Sequence, residues 1–217
     1  MKYFILLIVL LLIPQVHAWK WETHQNIIEY IYFNLPIEAQ QQLNITKLKE
    51  GSITPDKDFK DHKLHHYPKS LIEAEKWLNN DTDISFNMGI ASHYITDSFA
   101  APHNINGEDY KLHSAFENQV KNYYPNTKCY NYKLKIQDLS KGTKTSEEWK
   151  IWLKTKDRII PEKEVDESTK LLFSIILNKL NLTCIKNTEI EEVSYINKRK
   201  IILISLVSLI GLYFLKN

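Results

Sequence analysis

Ala91-Ser92-His93-Tyr94-Ile95-Thr96-Asp97-Ser98-Phe99-Ala100-Ala101-Pro102-His103-Asn104 sets three metal-capable side chains, His93, Asp97 and His103, inside an otherwise apolar run. From Ile84 to Phe99, the residues Ile84, Phe86, Met88, Ile90, Ala91, Tyr94, Ile95 and Phe99 fall on several helix faces, the pattern of a buried helix, and Asp83 stands where an N-cap belongs. On that helix His93 and Asp97, four apart, share one face. Burying an imidazole and a carboxylate without partners is costly, so either they hydrogen-bond to each other in the core or a cation sits between them. The stretch alone leaves both readings open.

The other metal-capable residues break the tie. His24 sits at the start of an expected helix, and Asp56 follows Gly51-Ser52-Ile53-Thr54-Pro55 in an expected loop. His62, His65 and His66 come within ten residues of Asp56, and ten residues past His103 the pair His113 and Glu117 repeats the four-residue spacing. Each pair alone is weak, because exposed His/carboxylate pairs commonly do nothing. Their confinement carries the inference: of eight histidines, all but His17 lie between residues 24 and 113. Imidazole and carboxylate suit zinc, so the concentration predicts a multi-zinc site.

Elsewhere apolar residues recur at three and four, no alternating run of strand length survives, and glycine is scarce, so the fold class is all-α. Helices are expected near Glu22 to Asn34, Pro36 to Glu50, Lys69 to Leu78, Ile84 to Phe99, Glu108 to Tyr123, Ser146 to Lys156 and Glu167 to Leu182. Pro36 fits a first helical turn, Thr145 with Glu148 makes a capping-box pattern, and Pro125 to Thr145 reads as a surface loop.

The two ends differ from the body. Lys2, the apolar run Tyr3 to Ile13, Pro14 and Val16-His17-Ala18 form a secretory leader, residues 1–18, with an uncleaved anchor as the alternative. Cleavage after Ala18 leaves Trp19 as N-terminus, whose amine and carbonyl can chelate a metal. Ile201 to Leu215 carries no charge and follows Lys198-Arg199-Lys200, so residues 200–217 read as a C-terminal transmembrane anchor, with a packed core helix as the alternative. That run is short against the roughly 20 residues of a spanning helix, and its flanking charges oppose the positive-inside tendency. Residues 19–199 between them suit one domain with a sizeable core.

A formal net charge of +2 gives no broad basic footprint for extended nucleic-acid binding, though a catalytic cleft could take a strand. The two cysteines, Cys129 and Cys184, fall in the exported part. If paired they close a loop of about 55 residues, worth about 4 kcal/mol on the chain-entropy model; if free they are buried packing residues. Glycosylation sequons at Asn44, Asn80 and Asn181 are consistent with export.

Trp19, His24, Gly51-x-x-x-x-Asp56, His65-His66-Tyr67, His93-x-x-x-Asp97-x-x-x-x-x-His103 and His113-x-x-x-Glu117 occur in that order over residues 19 to about 120. In this set the chain resembles the zinc-dependent phospholipase C family, which is related to the trinuclear zinc nucleases that act on single strands. The resemblance implies a single compact multi-helix domain and three zinc ions. One ion would be held by Asp56, His65, His93 and Asp97, and a second by His103, His113 and Glu117. The third would be held by the Trp19 amine and carbonyl with His24 and the shared Asp97. The family's aromatic after the ligand selects His65, with His66 and His62 as alternates, and the family assigns Asp56 a role as general base.

The implied reaction is phosphodiester hydrolysis by metal-activated water, most simply at the phosphate–glycerol ester of a phospholipid, by a monomer tethered to the outer face of the membrane through its C-terminal helix. Glu117 and the short His103 to His113 interval favour the phospholipase, whereas the Trp19-x-x-x-x-His24 spacing favours a single-strand nuclease or 3'-nucleotidase. The compact Asp56 to His65 interval trims the loop that faces the substrate. A zinc-stabilised binding domain without turnover is a third reading.

Overall fold

A segment with apolar or small residues on every face has no side to turn to water, so the chain must wrap it. The computed structural model describes residues 20–105, 107, 109–142 and 146–184, and among these residues it contains helices and no strand. In order they are α1 (Trp21–Asn34), α2 (Ile37–Gln42), α3 (Ile45–Gly51), α4 (Lys69–Leu78), α5 (Ile84–Asp97), α6 (Tyr110–Asn118), α7 (Leu139–Gly142), α8 (Ser146–Thr155) and α9 (Ile159–Leu180). Every residue of α5 from Met88 to Asp97 is buried, and α1, α3, α4 and α9 pack around it. Asp83 caps α5 as expected, its carboxylate accepting from the Phe86 amide at 3.2 Å.

α3 and α5 approach each other backbone to backbone. A Cβ on Gly51 would collide with the Phe86 carbonyl, and one on Gly89 with the Leu48 carbonyl. Both obstacles are backbone, so neither can turn aside. This crossing matters for the centre of the molecule: the carbonyl of Ser52, just past Gly51, accepts a hydrogen bond from His93 Nδ1 at 2.8 Å, one turn along α5 from Gly89.

Three expectations change. The helix expected over Pro36 to Glu50 breaks at Leu43, which is extended, because Asn44 leaves the helix to cap α3, accepting from the Lys47 amide at 3.1 Å. The long C-terminal helix begins at Ile159, not Glu167. Pro161 lies within its first turn, where its missing N–H costs nothing, and the Ile159 amide bonds Asp157 Oδ1 at 3.0 Å. Asp56 lies not in a loop but in a π-helical turn, Pro55–Phe59, that follows α3 closely; the Thr54 hydroxyl donates to the Glu50 carbonyl at 2.9 Å across the junction. The Pro125 to Thr145 stretch is largely irregular until the 3₁₀ turn Ile136–Asp138 and α7.

Residues up to Thr183 form one unit and those from Cys184 onward a second, of which only Cys184 is described. Cys129 and Cys184 are both disulfide-bonded. The leader (1–18), Trp19, Thr145 and the apolar run Ile201 to Leu215 lie outside the described residues. Among the described residues no helix is long and apolar enough to cross a membrane.

Gly89→Ala should destabilise the protein. Alanine in a helix gains about 1 kcal/mol over glycine, but forcing a methyl against a fixed carbonyl costs about 3 kcal/mol, so the steric cost wins. A urea-denaturation midpoint equal to or above that of the wild type would show that the crossing is not as tight as drawn.

Candidate metal centre

Three of the histidines are each anchored through one ring nitrogen, which fixes where the other points. The Ser52 carbonyl can only accept, so His93 Nδ1 carries hydrogen and Nε2 is turned inward. His65 Nε2 lies 3.0 Å from Asp61 Oδ1, which leaves Nδ1 inward, and Tyr94 donates its hydroxyl to the other Asp61 oxygen at 2.6 Å. Thr96 lies 3.0 Å from the carbonyls of Ser92 and His93 and gives its hydrogen there. It therefore accepts from His24 Nδ1 at 3.0 Å, and His24 Nε2 is left facing the centre. This is how protein metal ligands are oriented, with an outer partner choosing the tautomer.

The inward nitrogens of His24, His65, His93 and His103 meet carboxylates without hydrogen-bonding them. Asp97 Oδ1 lies 3.3 Å from His24 Nε2, and Oδ2 lies 2.7 Å from His65 Nδ1, 3.2 Å from His93 Nε2 and 4.0 Å from His103 Nε2. Asp56 Oδ1 lies 3.6 Å from His93 Nε2 and 3.8 Å from His65 Nδ1. Past the end of α5, His103 Nε2 lies 3.5 Å from Glu117 Oε1, and His113 Nε2 is hydrogen-bonded to the same oxygen at 2.7 Å. His24 Nε2, His65 Nδ1, His93 Nε2, His103 Nε2, both oxygens of Asp56 and of Asp97, and Glu117 Oε2 are buried and make no hydrogen bond. So many orphaned donors of one chemistry are exceptional in a folded interior. Two ligands about 2.1 Å from one tetrahedral zinc stand about 3.4 Å apart, and most of these separations are of that size. The residues fit zinc.

The charges agree. Burial pushes the Asp97 carboxyl up, but His93, His103 and His24 outweigh it and hold it well below the carboxylate range. Asp56 is likewise held low against its burial, chiefly by His93 and His62. Burial depresses His93 and His65, yet the carboxylates around them raise both, His93 strongly; for His24 burial wins and the ring stays neutral.

Of the residues read from sequence, His24, Asp56, His65, His93, Asp97, His103, His113 and Glu117 are brought together in one connected buried cluster. His66 is not turned into it, since its Nδ1 pairs with the backbone carbonyl of His103. His62 reaches Asp56 in addition to His65, not in place of it. The supporting residues were not foreseen. Asp61, four before His65, offered the same spacing signal as His93/Asp97. Ser52, Thr96 and Tyr94 offered none, nor did Glu164, whose buried carboxylate accepts from the Ala101 amide at 3.1 Å and so holds the turn that presents His103.

A sequence profile of the zinc-dependent phospholipase C family matches residues 23–182, a span containing every member of this cluster. The chain belongs to the zinc-dependent phospholipase C family. Searches of curated proteins and of solved structures returned no significant match. Membership and the orphaned donors make the same statement: this zinc-dependent phospholipase C family member carries a buried set of His and carboxylate groups fit to hold metal.

Zinc uptake should release protons. In chain stripped by a chelator, His93 stays protonated at neutral pH because its pKa is raised well above the ordinary value, and a metal needs the nitrogen lone pair that proton occupies. Adding zinc in weak buffer near pH 7 should therefore acidify the solution by at least one proton per chain, and zinc affinity should fall as pH is lowered. Zinc uptake with no acidification would contradict the charge state assigned to His93.

Proposed function

We propose that the chain is an exported phosphodiester hydrolase of phospholipase C type, cleaving the phosphate–glycerol ester of a phospholipid at a three-zinc centre. The observation that carries this is the continuous run of buried, unpartnered donors from His24 and Asp56 through Asp97 to His103 and Glu117. Zinc there supplies Lewis acidity toward the phosphate oxygens and brings the pKa of a water toward neutrality. The assignment uses the ligand sets implied by the resemblance, with the Trp19 amine completing the third set beside His24 and Asp97. The leader at 1–18 and the apolar tail at 200–217 belong to the same proposal, which makes the catalytic domain a monomer tethered at the outer membrane face.

The protein's own groups then have distinct tasks. Asp97 directs its two oxygens at different imidazoles, so it is the carboxylate suited to be shared. Asp56 is charged at neutral pH, which suits it to hold metal and to accept a hydrogen bond from the attacking water. The same lowered pKa makes it a weak acceptor of the proton itself, so orientation of water is the larger part of its role. Phe59 and Tyr67 are exposed on the segments that carry Asp56 and His65, and the neighbouring Lys57, Lys60 and Lys63 are exposed as well. An apolar rim fringed by ammonium groups supports a lipid interface as the substrate side. The Trp19-x-x-x-x-His24 spacing keeps single-strand nuclease as the second reading.

The deciding assay incubates the zinc-loaded full chain, in mild detergent, with phosphatidylcholine vesicles and with single-stranded DNA in parallel. Diacylglycerol release is expected; nucleotides without diacylglycerol would move the assignment to the nuclease branch. Asp97→Asn should cut the rate at least about a hundredfold and lower the bound zinc by two ions, since removing even an outer partner of a ligand costs 10–100-fold. Full zinc content in that variant would remove Asp97 from its shared position.

A further inference from the structure

The step from Asp56 to His65 is only nine residues long, and how the chain covers it decides what stands over the centre. The π-helical turn ends at Lys60, which takes a left-handed conformation (φ 54°) with its amide bonded to the Pro55 carbonyl at 2.8 Å. The reversal leads directly into the 3₁₀ turn His62–Leu64. That geometry lays the His62 ring 5.6 Å from the His65 ring, centroid to centroid, and brings His62 Nδ1 to 3.4 Å from Asp56 Oδ1.

His62 is 36 % exposed as a side chain, yet its Nδ1 is buried and makes no hydrogen bond. A histidine free to choose would turn that nitrogen to water, because an unsatisfied buried polar atom costs about 1–3 kcal/mol. An ion pair with Asp56 does not account for it either: the Asp56 oxygen it faces is itself without a hydrogen bond and is shared at 3.6 and 3.8 Å with His93 and His65. Separations of this size around one point are those of ligands about a common zinc, roughly 3.4 Å apart.

We propose that His62 is an additional zinc ligand on the solvent side of the centre, acting beside Asp56 and His65. The inference rests on the zinc-centre reading above and adds to it a fourth kind of position. His24, His65 and His93 are held through their second nitrogens, whereas among the described residues the His62 ring has no such anchor and its Nδ1 faces Asp56 at 3.4 Å. It is therefore the ligand that yields when a phosphate oxygen arrives, and the compact Asp56 to His65 interval is what supplies it.

The test compares zinc and cobalt binding to the full chain with His62→Ala and His62→Phe, the second keeping a ring of similar bulk without a donor nitrogen. Competition with a chromophoric chelator should show both variants weaker than wild type for one ion, by at least about tenfold, the lower bound set by loss of an outer partner. The visible spectrum of the cobalt-substituted chain should change in both. Wild-type affinity and spectrum in both variants would overturn the proposal, as would recovery in His62→Phe alone, which would assign the effect to packing. A wild-type chain that binds no zinc would overturn the zinc-centre reading and this inference together, so the two failures are distinguishable.

Discussion

Asp97 is buried with its two oxygens among the imidazoles of His24, His65, His93 and His103, and the rest of the structure follows from keeping it charged there. A carboxylate in an interior of low dielectric is tolerable only if positive charge is held close and in good geometry. Protons on His93 and His65 can supply part of that charge, and zinc can supply more with the same nitrogens. In either case the imidazoles must be fixed before the charge arrives. Hence each of the three nearest rings spends its outer nitrogen on a protein partner: a backbone carbonyl, a carboxylate or a threonine hydroxyl.

Those partners come from elements that the core brings close. Ser52 can reach His93 only because Gly51 and Gly89 let α3 lie against α5 backbone to backbone. Asp61 can hold His65 only because Tyr94, the residue after His93, closes its other oxygen. On the far side, Glu164 of α9 holds the turn that carries His103, and α6 brings His113 and Glu117 while its Phe116 packs edge-on against the stacked pair Trp149 and Trp152. Packing contacts in this protein are thus also positioning contacts. A change in the core far from any donor should alter the centre before it unfolds the chain.

The two His/carboxylate pairs are legible in the sequence through their spacing, and His24, Asp56, His65 and His103 through the confinement of the histidines and the family resemblance. His93/Asp97 and His113/Glu117 announce themselves at four residues, and burial of α5 follows from its apolar faces. What could not be read was anything that depends on a three-dimensional partner. Thr96 looks like any threonine until His24, distant in sequence, donates to it. The start of α9 was hidden because its first turns are Glu, Lys and Asp around a proline, and Pro161 reads as a breaker unless one knows it falls in the first turn. A π-helical turn has no periodic signature in five residues, so the sequence around Asp56 reads as a loop.

The cluster explains why phosphodiester chemistry is easier to read than substrate. Imidazoles and carboxylates arranged around metal address a phosphate group, and phosphate is common to a lipid head group and to a nucleic-acid strand. Discrimination has to come from groups that touch what lies on either side of the phosphate. On the proposed reading that falls to the exposed Phe59 and Tyr67 with Lys57, Lys60 and Lys63 around them, on the same short segments that deliver Asp56 and His65. Shortening the interval between these two residues therefore does two things at once. It brings His62 beside Asp56 and His65, and on the proposed reading it also sets the rim that the rest of the substrate would pass.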